Sequence, residues 1–99
     1  MVMNRRTSIV KRGRMQEAAT LLKALAEKLQ STNPRAYRIY VPEFAPFDVL
    51  CIEVDFDSLA EYQQYWAEYF AQPETTAFLE RWYELTDTGG TNELWELVE

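Results

Sequence analysis

Histidine is absent from this chain of 99 residues, and cysteine occurs once. The first absence removes the commonest general base, the usual zinc and haem ligand, and any Ser-His or Cys-His nucleophile pair. The second excludes an intrachain disulfide and fits a reducing, cytoplasmic compartment. No apolar run approaches the ~18–20 residues that a membrane span needs. Met1 to Lys11 also lacks the apolar stretch of a secretory signal, so no membrane association is expected. Glycine is scarce, with three residues, and none belongs to a phosphate-binding loop; Thr88-Gly89-Gly90 reads as a loop after a helix. HExxH, CxxC and EF-hand spacings are missing. Isolated acids such as Glu53 and Asp55 are usually solvated or paired with arginine, so no metal and no cofactor is expected. Positive charge is nearly missing from the second half: residues 39–99 carry one Arg against fourteen acids, whereas residues 1–38 carry nine Lys or Arg against two Glu. The acidic half would repel phosphates, so no nucleic-acid partner is expected. Basic and acidic strands lying side by side would account for the split.

What is present is aromatic and apolar. Hydrophobic residues make up 47% of the chain, enough for a core, and the length suits one domain over 1–99. Thr7 to Lys11 reads as a short strand, with Asn4 as an alternative start. Met15 to Gln30 is helical, with Ala18, Leu22, Leu25, Ala26 and Leu29 recurring at three- and four-residue steps. Ser31 to Pro34 stops it. Arg35 to Val41 and Asp48 to Phe56 alternate as strands. They place Tyr37, Ile39 and Val41, and Leu50, Ile52 and Val54, on one face. Ser58 with Glu61 fits a capping box for the next helix. Leu59, Tyr62, Trp66 and Tyr69 or Phe70 form its expected buried stripe, which leaves Tyr65 and Tyr83 as rim or partner-surface residues. Pro73 suits the start of a further helix, with Phe78, Leu79, Trp82 and Leu85 inside. Asn92 to Val98 closes the chain as a strand.

Strand, helix, strand, strand, split helix, strand is the order of a ferredoxin-like α+β domain. Its four-stranded antiparallel sheet has helices on one face, and its first strand lies between the third and the fourth. Arg6 and Lys11 would then sit between the acidic strands. The uncovered face is expected to carry Ser8, Val10, Arg38, Tyr40, Val49, Cys51, Glu53, Trp95 and Leu97. It is half apolar, and a second copy packed face to face would shield it, so a homodimer is expected.

The segment FDSLAEYQQYWAEYFAQPETTAFLERWYELTD with the following NELWELV resembles the C-terminal half of the NIPSNAP-like and antibiotic-biosynthesis-monooxygenase-like families. The matching features are the junction Phe56-Asp57-Ser58, the aromatic helix around Tyr62 and Trp66, the break Gln72-Pro73-Glu74, and Phe78 with Trp82. The resemblance implies a dimeric α/β barrel and a small apolar, aromatic or polyketide-like ligand. In some oxygenases of the group it also implies reaction without cofactor, with Asn and Trp orienting a phenol; here Trp95 is the tryptophan placed toward the barrel cavity. The function expected is a homodimer that binds such a molecule and acts as a cofactor-independent monooxygenase or isomerase. The alternative is a non-catalytic structural or stress-related dimer with a filled cleft.

Arg38, Tyr40 and Glu53 are the candidate catalytic residues, since pairing of their strands brings them to one patch. Glu53 would be a general base with a raised pKa, Tyr40 a proton or hydrogen-bond donor, and Arg38 a holder of a carboxylate or enolate. The competing role is an Arg–Glu ion pair. Cys51, Trp66 and Trp95 are the candidate ligand contacts, although Cys51 also reads as a small side chain at the interface and Trp66 as core. A catalytic member would show a cleft on the order of several hundred Å3 lined by Arg38, Tyr40 and Glu53.

Overall fold

Alternation with period two gives way to helical spacing twice along the chain, after Val10 and after Phe56. In the computed structural model, which describes residues 1–99, β1 spans Val2–Val10, α1 Met15–Thr32, β2 Tyr37–Tyr40, β3 Val49–Phe56, α2 Leu59–Phe70, α3 Pro73–Leu85 and β4 Thr86–Glu96. The strands form one antiparallel sheet in the order β2-β3-β1-β4. This is the ferredoxin-like arrangement, with β1 between β3 and β4 as expected. No helix is long and apolar enough to cross a membrane. The helix pair is split where proline dictates. Gln72, ahead of Pro73, is held extended at φ −90°, ψ 137°, as a residue before proline must be, and α3 starts on the proline ring. At the start of α2, the Ser58 hydroxyl accepts from the Glu61 amide, while the Glu61 carboxylate accepts from the Asp57 amide. The box closes one residue early: Ser58 still satisfies the Glu61 amide, but Glu61 takes the Asp57 amide in place of that of Ser58.

The phase of β1 corrects the sequence expectation. The strand starts at Val2, and Val2, Asn4 and Val10 are buried. Its even-numbered residues therefore face the helices. Ser8 and Val10, expected on the uncovered face, lie beneath them instead. Val10 packs with Ala18, Leu22, Leu50 and Leu85 in one core cluster, while Val2, Phe56 and Tyr65 form another. The uncovered face takes Met3, Arg5, Thr7 and Ile9 from β1, and Leu97 lies beyond the end of β4.

Two further expectations shift. β4 begins directly after α3, and Thr88, Gly89 and Gly90 lie inside it. Thr7 stands opposite Thr91 and Ile9 opposite Asp87, so three β4 residues face Ser8 alone. The extra residues form a bulge that needs left-handed backbone, and Gly89 and Gly90 adopt φ of +118° and +90°. On α2 the buried stripe is rotated. Tyr65 and Tyr69 are its buried residues, and Leu59 is exposed. Tyr65 meets the Phe56 ring edge-on at 5.2 Å. Packing against the end of β3 fixes this rotation, which helical spacing alone left open between neighbouring stripes.

Candidate functional site between the sheet and the helices

Between the sheet and the helices lies a partly open cavity of about 140 Å3, in which 15 of 21 lining residues are hydrophobic. Leu22, Leu25, Ala26 and Leu29 of α1 line it opposite Leu50, Ile52 and Val54 of β3. Trp66, Tyr69 and Phe78 close the sides. This is the size class of an apolar cavity of about 150 Å3 that takes one benzene ring. It is smaller than the cleft expected from the sequence and does not fit a polyketide.

The buried polar atoms without partners in the wall residues are all donors. Asn4 is buried and spent, since its amide donates to the Asn92 side chain and to the Glu93 carbonyl, both at 2.8 Å. Arg35 is largely spent, with Nη1 on Glu61 and Nη2 on Asn33, and it lies 4.8 Å above the Phe56 ring. Arg6 is different. Its guanidinium stacks 3.7 Å from the centroid of Trp66, and its buried Nε has no partner. Arg35 Nε and Trp66 Nε1 are buried and unpartnered as well. Stacking a cation on an indole is worth ~1 kcal/mol, whereas an unmet buried donor costs ~1–3 kcal/mol. The stacking therefore does not offset what these donors lack. No carboxylate, cysteine or amine lines the cavity. Burial raises the pKa of the Tyr65 hydroxyl and pushes that of Tyr69 up to about 12, so both remain protonated at neutral pH.

The six residues singled out by sequence do not share one site. Trp66 lines the cavity. Arg38, Tyr40, Cys51, Glu53 and Trp95 lie on the uncovered face, beyond the plane of the sheet. Arg38 and Glu53 do meet, with Nε donating to Oε1 at 3.1 Å, and Arg38 also grips Asp55 at 2.8 Å. Arg5, not Arg6 or Lys11, sits between the acidic strands, 2.9 Å from Glu53 and 3.7 Å from Glu93. Burial alone would raise the Glu53 pKa, but hydrogen bonds from Arg5 and Arg38 outweigh it and the net shift is downward. The raised pKa expected of a general base is therefore not found. Cys51 is pushed up by burial and by Glu53, against a smaller opposing effect of Arg5, which keeps its thiol protonated. Trp95 is spent on Glu93 at 2.8 Å.

The lowered Glu53 pKa has a pH signature. A carboxyl with a depressed folded pKa stabilises above its unfolded value and loses that contribution as pH falls through the folded value. Glu53→Gln is expected to lower stability by a constant amount above the ordinary carboxyl value of 4.5. That difference should shrink to nothing on further acidification. Urea unfolding of both proteins across this range measures it, and a difference that grows toward acid would contradict the assignment.

The sequence did not mark Arg6 or Arg35 as site residues, and it put Tyr65 on a rim or partner surface, whereas Tyr65 is buried and lines the cavity. The signal for Arg6 was its phase: Val2 and Val10, eight residues apart on one strand, put Arg6 on the same face as both.

No protein-family model and no curated protein matches the sequence. Solved structures match it in shape. A NIPSNAP family protein from Agrobacterium tumefaciens superposes with a TM-score of 0.83 at 16% identity, over 99% of this chain and 86% of that one. A NIPSNAP domain protein from Burkholderia xenovorans gives 0.84 at 12%, over 99% and 95%. An antibiotic biosynthesis monooxygenase gives 0.76 at 17%, over the whole of both chains. This chain has the NIPSNAP and monooxygenase fold. The superposed part of this chain includes α2, α3 and β4.

Proposed function

We propose that this protein is a homodimer in which each protomer binds one single-ring aromatic molecule between its sheet and its helices. The observation that carries the reading is the mainly apolar cavity of about 140 Å3, walled by Trp66 and Tyr69, whose wall residues include buried donors with no partner. Its volume selects a single ring. For the reaction we propose cofactor-independent oxidation by dioxygen, or isomerisation. An antibiotic biosynthesis monooxygenase of the same fold supports that class. With no base in the cavity wall, the substrate must enter as its own anion or lose its proton to water. A second reading, a non-catalytic dimer, is favoured by Glu53, whose two arginine partners leave it no free role as a base.

The partner we propose for the uncovered sheet face is a second copy of this chain. Tyr40 and Trp95 are about half exposed there. The same face carries both signs of charge, Arg5 and Arg38 beside Glu53, Asp55 and Glu93, which suits a two-fold contact of a patch with itself. Arg38, Tyr40, Glu53, Cys51 and Trp95 would then serve the contact or a cleft within it. Sedimentation at micromolar concentration tests the assembly, and a lone species of 11.7 kDa would count against it. A thermal-shift series from single-ring to fused-ring compounds tests the cavity. Single rings should raise the melting temperature and fused polycycles should not. The opposite order would overturn the reading.

A further inference from the structure

We propose that the ligand is an anion: a single-ring aromatic carboxylate whose oxygens take the free edge of the Arg6 guanidinium while its ring lies in the apolar part of the cavity. This rests on the reading of the cavity as a small-aromatic site, and it names the chemical class that site selects. Of the chain's seven arginines, six have a carboxylate within 3.7 Å, and Arg6 has none. Arg6 is half-buried, and its Nε is buried without a partner, so water does not meet that donor. Arg6 sits on the central strand, opposite Ile52 of β3 and Asn92 of β4, with its side chain in the cavity wall.

The chemistry of the wall narrows the ligand. Three residues of the cavity wall, Arg6, Arg35 and Trp66, each carry a buried nitrogen without a partner, and all three are donors. A hydrocarbon would leave them all unmet. An amine would add donors to donors and place a cation beside Arg6. A carboxylate brings acceptors and the opposite charge. Trp66 covers one face of the guanidinium at 3.7 Å. Stacking leaves the edge of a guanidinium open, and that edge matches the two oxygens of a carboxylate better than the single oxygen of a phenolate. The volume admits a ring with a short acidic arm and little more.

The test compares phenylacetate with phenylacetamide, which has the same shape and no charge, by calorimetric titration of the folded protein. The wild type should bind the acid about tenfold or more tightly than the amide, as expected for a charge-assisted pair. Arg6→Gln should bring the two affinities together while leaving the amide affinity nearly unchanged, and Arg6→Lys should restore part of the preference. Equal affinities in the wild type, or a preference for acid that survives in Arg6→Gln, would overturn the proposal. If Arg6→Gln fails to fold, the wild-type ratio decides alone. Binding of the amide without the acid would leave the cavity reading standing and sink this one. If neither compound binds at millimolar concentration, both fall.

Discussion

Replacing Phe56 by alanine is expected to lower the free energy of unfolding by about 3–5 kcal/mol. Phe56 is 1% exposed and ends β3 opposite Val2. Tyr62 and Tyr65 meet its ring edge-on at 5.4 and 5.2 Å, and the Arg35 guanidinium lies 4.8 Å above it. One truncation thus removes the contact that seats α2 on the sheet and half of the support beneath Arg35. A domain of this size is stable by only ~5–15 kcal/mol, so the variant should be near the limit of folding. Phe56→Leu, which keeps most of the volume, should cost roughly 1–2 kcal/mol, at the lower end of core substitutions. Urea denaturation with an unchanged slope measures both. A loss below ~1 kcal/mol for the alanine variant would show that the cluster of Val2, Phe56 and Tyr65 does not hold the helix.

Gly90→Ala is the second large effect. A Cβ there would stand 2.2 Å from the Thr7 carbonyl oxygen and 3.3 Å from the Ser8 Cα. Both are backbone, in the central strand, and neither can swing away as a side chain can. The backbone angle of +90° adds strain for any L residue. The substitution should cost more than the ~1–3 kcal/mol of such strain alone, because β1 and β4 must part at the bulge to admit the methyl group. Gly13→Ala serves as the control. Its φ is +84°, and nothing lies within 4 Å of its added carbon, so it carries the conformational cost without the clash. The difference in unfolding free energy between the two variants isolates the clash. Hydrogen exchange at the Thr91 amide, which donates to the Thr7 hydroxyl at 2.9 Å, should rise in the first and not in the second. Equal losses would show that the bulge relaxes freely.

The strands with clean alternation were legible from sequence, and so were the elements with punctuation. Leu50, Ile52 and Val54 share a face with Tyr37 and Ile39 because nothing competes with period two there. Pro73 splits the helices because proline cannot donate. Legibility failed where two physical rules gave the same string. Arg5-Arg6 is one such place: a strand must send one of the two inward, and a pair of arginines does not say which. The answer lies in Val2 and Val10 being buried, a fact about tertiary packing. Gly89-Gly90 is another, since turn and bulge both ask for positive φ, and only the length of β1 to be covered decides between them. On α2, apolar residues occupy so many positions that several stripes satisfy helical spacing, and Phe56 selects the one containing Tyr65.

The site was half legible for the same reason. Trp66 stood out as a large aromatic on a helix. Glu53 and Arg38 stood out as opposite charges on paired strands, and they do pair, on the far side of the sheet from the cavity. Arg6 carried no signal beyond its phase with Val2 and Val10, because a charged residue ordinarily faces water. What marks it is the missing partner, and a missing partner exists only once the other side chains are placed.

The proposed ligand lies between sheet and helices, against Trp66 and Arg6. The chain has three tryptophans, and they report on different surfaces: Trp66 and Trp82 line the cavity, and Trp95 lies on the uncovered face of the sheet. Titrating phenylacetate into nitrogen-labelled protein and following the indole N–H signals by NMR therefore locates the ligand directly. The Trp66 signal should move downfield and saturate as its free donor gains an acceptor, with the Arg6 Nε–H moving alongside it and Trp95 unmoved. Movement of Trp95 with Trp66 still would place the ligand between sheets and contradict the account.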